Sequence, residues 1–156
     1  MNVVSVKRIK PVFNFLAFVL LYNITYRADT VPPSELICGK WEISAKNLIV
    51  DIYREDNKFK AKIIWFNAGD DKPMDSWTDK HNPNKALRNR KILGMSVLEN
   101  LNYDPYTNSW ENGKIYDSTS GREWNASAYI DKNGQLKIRG YWHFKFIGRT
   151  LTFRRM

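Results

Sequence analysis

The run Trp124-Asn125-Ala126-Ser127-Ala128-Tyr129-Ile130-Asp131-Lys132-Asn133-Gly134-Gln135-Leu136-Lys137-Ile138-Arg139-Gly140-Tyr141-Trp142-His143-Phe144 is where the architecture of this chain is easiest to read. Trp124, Ala126, Ala128 and Ile130 fall on one face of a period-two pattern, with Asn125, Ser127 and Tyr129 on the other, as in a strand with one buried side. Asn133-Gly134 predicts a hairpin turn, because both residues tolerate positive φ. Beyond the turn the inward set continues as Leu136, Ile138, Gly140, Trp142 and Phe144. Two paired strands are expected.

The same period recurs upstream. Trp41 and Ile43 are expected to face inward in Gly39–Ser44, and Leu48, Val50 and Ile52 share one face of the next run. After a turn at Glu55-Asp56-Asn57-Lys58, Phe59, Ala61, Ile63 and Trp65 face one way; Lys58, Lys60 and Lys62 form a solvated face. The pattern runs again from Leu93 through Met95, Val97, Leu98 and Leu101 to Tyr103, turns at Asp104–Asn108, and returns as Trp110–Asp117. Ser118-Thr119-Ser120-Gly121 turns into the stretch quoted first, and Leu151 and Phe153 end the pattern, with Arg154 and Arg155 outside. About eight strands on short turns predict an all-β fold, an antiparallel up-and-down β-barrel. Eight strands leave an interior that side chains fill or that holds one small ligand. Ala61, Ala126, Ala128 and Gly140 leave both readings open, since they either make room or offset the bulk of Trp41, Trp65, Trp124 and Trp142.

A chain of 156 residues suits one domain, and its 14% aromatic content favours pleated, half-buried surfaces over a helical bundle. Residues 1–27 read as a signal peptide or N-terminal anchor: Lys7, Arg8 and Lys10 precede the apolar run Val12–Tyr22, which is too short to span a bilayer. An exported, periplasmic or secreted protein is expected, touching membrane only through that segment. Residues 28–38, with Val31-Pro32-Pro33-Ser34, read as a linker, and 39–156 as the barrel domain. The formal charge of +9 falls to +5 from Ala28 onward, and no phosphate-tracking stripe is visible, so no nucleic acid partner is expected. Cys38 has no partner for an intrachain disulfide.

Asn67–Lys91 interrupts the alternation and is long for a connection in a compact domain. Asn82-Pro83 supplies a cap and a first-turn proline, which predicts one short helix in the 67–91 loop, at about Pro83–Asn89.

The ordered motifs resemble the bacterial family catalogued as domain of unknown function 2147. They are Gly39-Lys40-Trp41; Asp79-x-x-Asn82-Pro83 leading to Leu87-Arg88-x-Arg90; Ile92-Leu93-Gly94-Met95; Trp110-x-x-Gly113-Lys114-Ile115-Tyr116-Asp117 with Gly121; Leu136–Tyr141; and Gly148-Arg149-Thr150 with Phe153-x-Arg155. The resemblance covers nearly all of the chain after Cys38 and implies a small exported protein with a lipocalin-like barrel; it implies no activity. The chain departs from the pattern at Lys91 and Ser118, where proline is common, and at Trp124, where tyrosine is common.

Chemistry is sparse. Two histidines, His81 and His143, do not assemble a triad or a three-histidine metal site, and Asp70, Asp71, Asp75 and Asp79 lack calcium-loop spacing, so no metal or other cofactor is expected. The candidate ligand-binding set is Asp79, Asn82, Arg88, Arg90, Trp110, Tyr116 and Asp117, since arginine forks onto carboxylate or phosphate and an aromatic wall takes a sugar or acyl surface. No catalytic residue is assigned. On the competing view Asp79 and Asp117 hold Arg88 and Arg90 and fasten the long loop across one barrel end. The leading expectation is a non-enzymatic envelope protein that binds a small amphipathic ligand or envelope component. A structural or protein-interaction module with a filled barrel is the alternative; an exposed aromatic patch across Tyr53, Tyr129 and Tyr141 would favour it. A hydrolase using Asp79 or Asp117 needs one of those carboxyls raised in pKa.

Overall fold

The computed structural model describes residues 30–156, so the segment read as a signal peptide or anchor lies outside the described residues. Eight strands follow in order: β1 (Gly39–Ile43), β2 (Leu48–Glu55), β3 (Lys58–Phe66), β4 (Ser96–Asp104), β5 (Ser109–Asp117), β6 (Arg122–Ile130), β7 (Leu136–Tyr141) and β8 (Gly148–Arg155). Each pairs antiparallel with its neighbour and β1 pairs with β8, which closes the expected up-and-down barrel.

Up-and-down order sorts the connections to two ends. One end carries the β2–β3, β4–β5 and β6–β7 turns together with a short 3-10 helix, Pro33–Ile37, from the segment read as a linker. This helix is a plug. Ile37 is fully buried, its carbonyl accepts from Trp41 Nε1 at 2.8 Å, and the Ser34 carbonyl accepts from Trp110 Nε1 at 3.1 Å. Arg155 locks it from outside, donating to the carbonyls of Leu36 and Cys38 while its guanidinium lies 4.3 Å from the centre of the Trp41 ring. The other, loop end carries residues 44–47, 67–95, 118–121 and 142–147.

Leu98 and Leu101 are both buried although three apart, a spacing a regular strand cannot bury on one face. A bulge resolves this: Asn100 takes φ 62°, and the β3–β4 register shifts between Phe59 and Ala61. Facing it, Asn112 at φ 60° bulges β5, so that Trp110 and Gly113 also share the inner face. Leu101 fills the space of the missing side chain at Gly113, where an added Cβ would lie 2.6 Å from Leu101 Cδ2. In this half of the barrel small residues offset large ones.

Four local expectations change. A register shift between Ile49 and Val50 pairs Leu48 with Phe66 and Ile49 with Trp65, so Phe66 packs on the core in place of Trp65. In the 67–91 loop the described residues form only 3-10 turns, Met74–Ser76 and Lys85–Leu87, and Asn84 rather than Asn82 caps the second by accepting from Ala86 N. The hairpin at Asn133-Gly134 stands where expected, but as the loop 131–135, in which Gly134 has positive φ and the Asp131 carboxylate accepts from the backbone of Asn133 and Gln135. β7 stops at Tyr141, which is buried, and Trp142 and Phe144 are more than half exposed rather than inward.

Candidate functional site

Residues 77–92 are pinched into a lobe by the Thr78–Lys91 bridge and by Asp79 N donating to Arg90 O at 2.9 Å. The pinch brings the Asp79 and Arg90 side chains together. Asp79 is fully buried and accepts three bonds: from Tyr116 Oη at 2.7 Å on one oxygen, and from Asn82 Nδ2 at 2.7 Å and an Arg90 guanidinium nitrogen at 2.8 Å on the other. Burial alone would raise its pKa, but the bonds from Asn82, Tyr116 and Arg90 and the Arg90 charge outweigh it and hold the carboxyl below its ordinary value. Burial, then the bond to Asp79, pushes the Tyr116 hydroxyl up to about 12. The Asn82 oxygen accepts from Asn84 N, and Arg88 Nε donates to the Asn82 carbonyl at 2.8 Å. The β5–β6 turn sits under the lobe, where a Cβ on Gly121 would overlap the His81 carbonyl oxygen.

Five of the seven sequence-predicted residues therefore meet: Asp79, Asn82, Arg88, Arg90 and Tyr116. Trp110 lies at the other end of β5, donating to the plug. Asp117 holds neither arginine; it closes its own turn by accepting from the Thr119 backbone and from the Thr119 and Ser120 hydroxyls. Burial would raise it, and the bonds from Ser120 and Thr119 bring it below its ordinary value. Neither aspartate has the raised pKa a general acid needs at neutral pH. Among the described residues no three His, Cys, Asp or Glu side chains converge to hold a metal.

Two recesses open near the loop end. One, of about 580 Å³, lies between the lobe and β4–β6 and is bordered by Asn82, Arg90, Tyr116 and Lys114. The other, of about 890 Å³, is lined by Lys114, four consecutive β6 residues, Arg122, Glu123, Trp124 and Asn125, and by Trp142 and His143. Consecutive strand residues point to opposite faces, so this recess straddles the barrel rim. Trp124 and Trp142 meet edge to face in it, ring centres 5.7 Å apart. The sequence reading missed Trp142 as a rim residue. The signal was the density of apolar residues in Trp142–Ile147, which the strand period masked.

A closed eight-stranded antiparallel barrel, plugged at one end and recessed at the other, places this chain in the class of lipocalin-like barrels. A solved Helicobacter pylori protein described as belonging to the lipocalin family shares the fold, with a TM-score of 0.66 and 26% identity over 81% of this chain and 84% of that one. The model of the family described as uncharacterized protein conserved in bacteria (DUF2147) matches residues 39–155, and the chain belongs to that family. Comparison with curated proteins gives no match.

Proposed function

We propose that this chain is an exported, non-enzymatic binder of a small amphipathic molecule taken up at the barrel rim. The observation that carries the reading is the 890 Å³ recess, whose Trp124–Trp142 pair offers an apolar wall and whose Arg122 offers a cation, beside Lys114 paired with Glu123 at 3.5 Å. An acyl chain or ring with an anionic head matches that combination. The description of the Helicobacter pylori protein as a lipocalin supports the same role. The Asp79 cluster serves as scaffold in this reading, because its carboxylate is already occupied by three donors. Export rests on the basic and then apolar pattern of residues 7–22.

Two measurements test it. Native mass spectrometry of the protein isolated from its host envelope is expected to give a chain shortened at its N-terminus and carrying a bound amphipath. Tryptophan fluorescence is expected to shift on titration with an anionic lysophospholipid below its micelle concentration, and Trp142→Ala to weaken that binding about tenfold through lost apolar contact. A homogeneous ligand-free mass together with a flat titration would refute the reading.

A further inference from the structure

We propose that the β7–β8 loop docks the protein onto anionic phospholipid bilayers. Trp142, Phe144, Phe146 and Ile147 are 57%, 60%, 77% and 63% exposed, four large apolar side chains within six residues. Apolar residues scattered singly over a surface need no explanation, but a cluster of this density does. The loop is also held in shape. Arg139 donates to the carbonyls of Lys145 and Phe146 and to the Thr150 hydroxyl, Asn125 donates to the Trp142 carbonyl at 2.5 Å, and Ile147 N donates to Phe144 O at 3.0 Å. Phe144 and Phe146 stack with centres 5.4 Å apart. The carbonyls of Trp142, Lys145 and Phe146 are thus held by barrel residues while the rings are left outside, so docking requires little ordering of the chain.

Charge selects the partner. From Lys132 to Met156 the chain has seven Lys or Arg and no Asp or Glu. Acids from elsewhere in the chain pair with three of these: Glu111 with Lys145, Asp131 with Lys137 and Glu42 with Arg154. Arg139 and Arg149, which flank the loop, have no ion-pair partner among the described residues. A second copy would present the same positive surface and be repelled, whereas an anionic bilayer offers negative charge outside and an apolar layer within reach of the rings. Trp142 belongs to both the patch and the recess wall. An amphipath therefore has a continuous apolar path from bilayer to recess, a consequence that rests on the function proposed above.

The test places an environment-sensitive fluorophore on the full chain at Phe146→Cys or, in a separate protein, at Tyr106→Cys, both with Cys38→Ser. Tyr106 is 98% exposed and lies in the β4–β5 turn, at the plugged end. With vesicles of phosphatidylcholine and phosphatidylglycerol, the probe at 146 is expected to brighten and shift to the blue while that at 106 stays unchanged. Pure phosphatidylcholine and high salt are expected to weaken the response. Phe144→Ser, Phe146→Ser and Ile147→Ser combined are expected to lower vesicle partitioning about tenfold by removing apolar contact; residues 1–29 are common to both chains, so the difference belongs to the loop. A silent probe at 146, equal responses at both positions, or unchanged partitioning of the triple variant overturns the proposal. So does a response that appears without vesicles and grows with protein concentration, which would identify a second copy as the occupant. If lysophospholipid still binds while the 146 probe is silent, docking alone fails; if both are absent, the proposed function fails with it.

Discussion

At Gly113 the barrel has no room for one carbon. Gly113→Ala would set a Cβ 2.6 Å from Leu101 Cδ2 and 3.1 Å from the Glu99 carbonyl oxygen, and the clash is expected to cost about 1–3 kcal/mol in denaturant unfolding. Adding Leu101→Ala is expected to cost less than the sum of the two single changes, because the second removes the atoms the first collides with. Asp79→Asn keeps the shape but exchanges an acceptor of three bonds for an amide facing two nitrogen donors and a hydroxyl. With Arg90 39% exposed and partly screened, about 2–3 kcal/mol is expected from the same measurement. Because the folded pKa of Asp79 lies below its unfolded value, its stabilisation is full above about pH 4 and is lost as pH falls through the folded pKa; Asp79→Asn should flatten that acid limb. Tyr116 works in the opposite direction. Its folded pKa of about 12 exceeds the unfolded value near 10, so the proton it retains stabilises the fold fully below pH 10 and stability declines from there toward 12. Absorbance titration should show a late-ionising tyrosine that Tyr116→Phe removes. The Asp79–Asn82–Arg90 cluster was legible because its members lie within twelve residues and form a loop unlike a strand. Trp110 was misplaced because residue type does not reveal which barrel end it faces, and Asp117 because a carboxylate beside Thr119 and Ser120 takes the nearest donors before a distant arginine.

At the scale of elements, most strand boundaries and turns were readable from period two, and the failures have one physical origin. Alternation continues wherever residues happen to alternate, but a strand continues only while a neighbour pairs with it. β7 pairs as far as Tyr141 opposite Gly148, so Trp142 and Phe144 keep the inward parity with no barrel left to face. Bulges cause the complementary error, since an extra residue at Ile64 hands the core position from Trp65 to Phe66. The plug was not visible either: Pro33-Ser34-Glu35-Leu36-Ile37 has linker composition, and what ties it down lies outside it, the indoles of Trp41 and Trp110 and the guanidinium of Arg155 on its carbonyls and Arg54 on Glu35. Ile37→Ala should therefore cost about 2–5 kcal/mol in thermal or chemical unfolding, as an emptied buried site would, whereas Leu36→Ala, at a 42% exposed neighbour, should cost much less. Near-ultraviolet circular dichroism should report the first change through Trp41 and Trp110.

For the molecule as a whole, closure was legible from strand number and turn length, since eight antiparallel strands on short turns have few ways to bury every edge. Strength around the ring was not. β2 and β3 pair over eight positions, whereas β1 and β8 have three paired positions, Trp41–Arg155, Glu42–Arg154 and Ile43–Phe153, extended at the ends by Ser44 N donating to Thr152 O and Met156 N to Lys40 O. Hydrogen exchange should therefore open this seam before the β2–β3 ladder, and Arg155→Ala, which unties the plug from the seam, should speed exchange at β1 and β8 more than at β5 and β6.

The position of the seam also constrains the order of events as the chain is made. It joins residues 41–43 to residues 153–155, so a ribosome must release the last strand before the first can find its permanent neighbour. Until then β1 and the strand last made each keep an unpaired edge. Closing the ring therefore hides both edges in a single step, once β8 is free to pair.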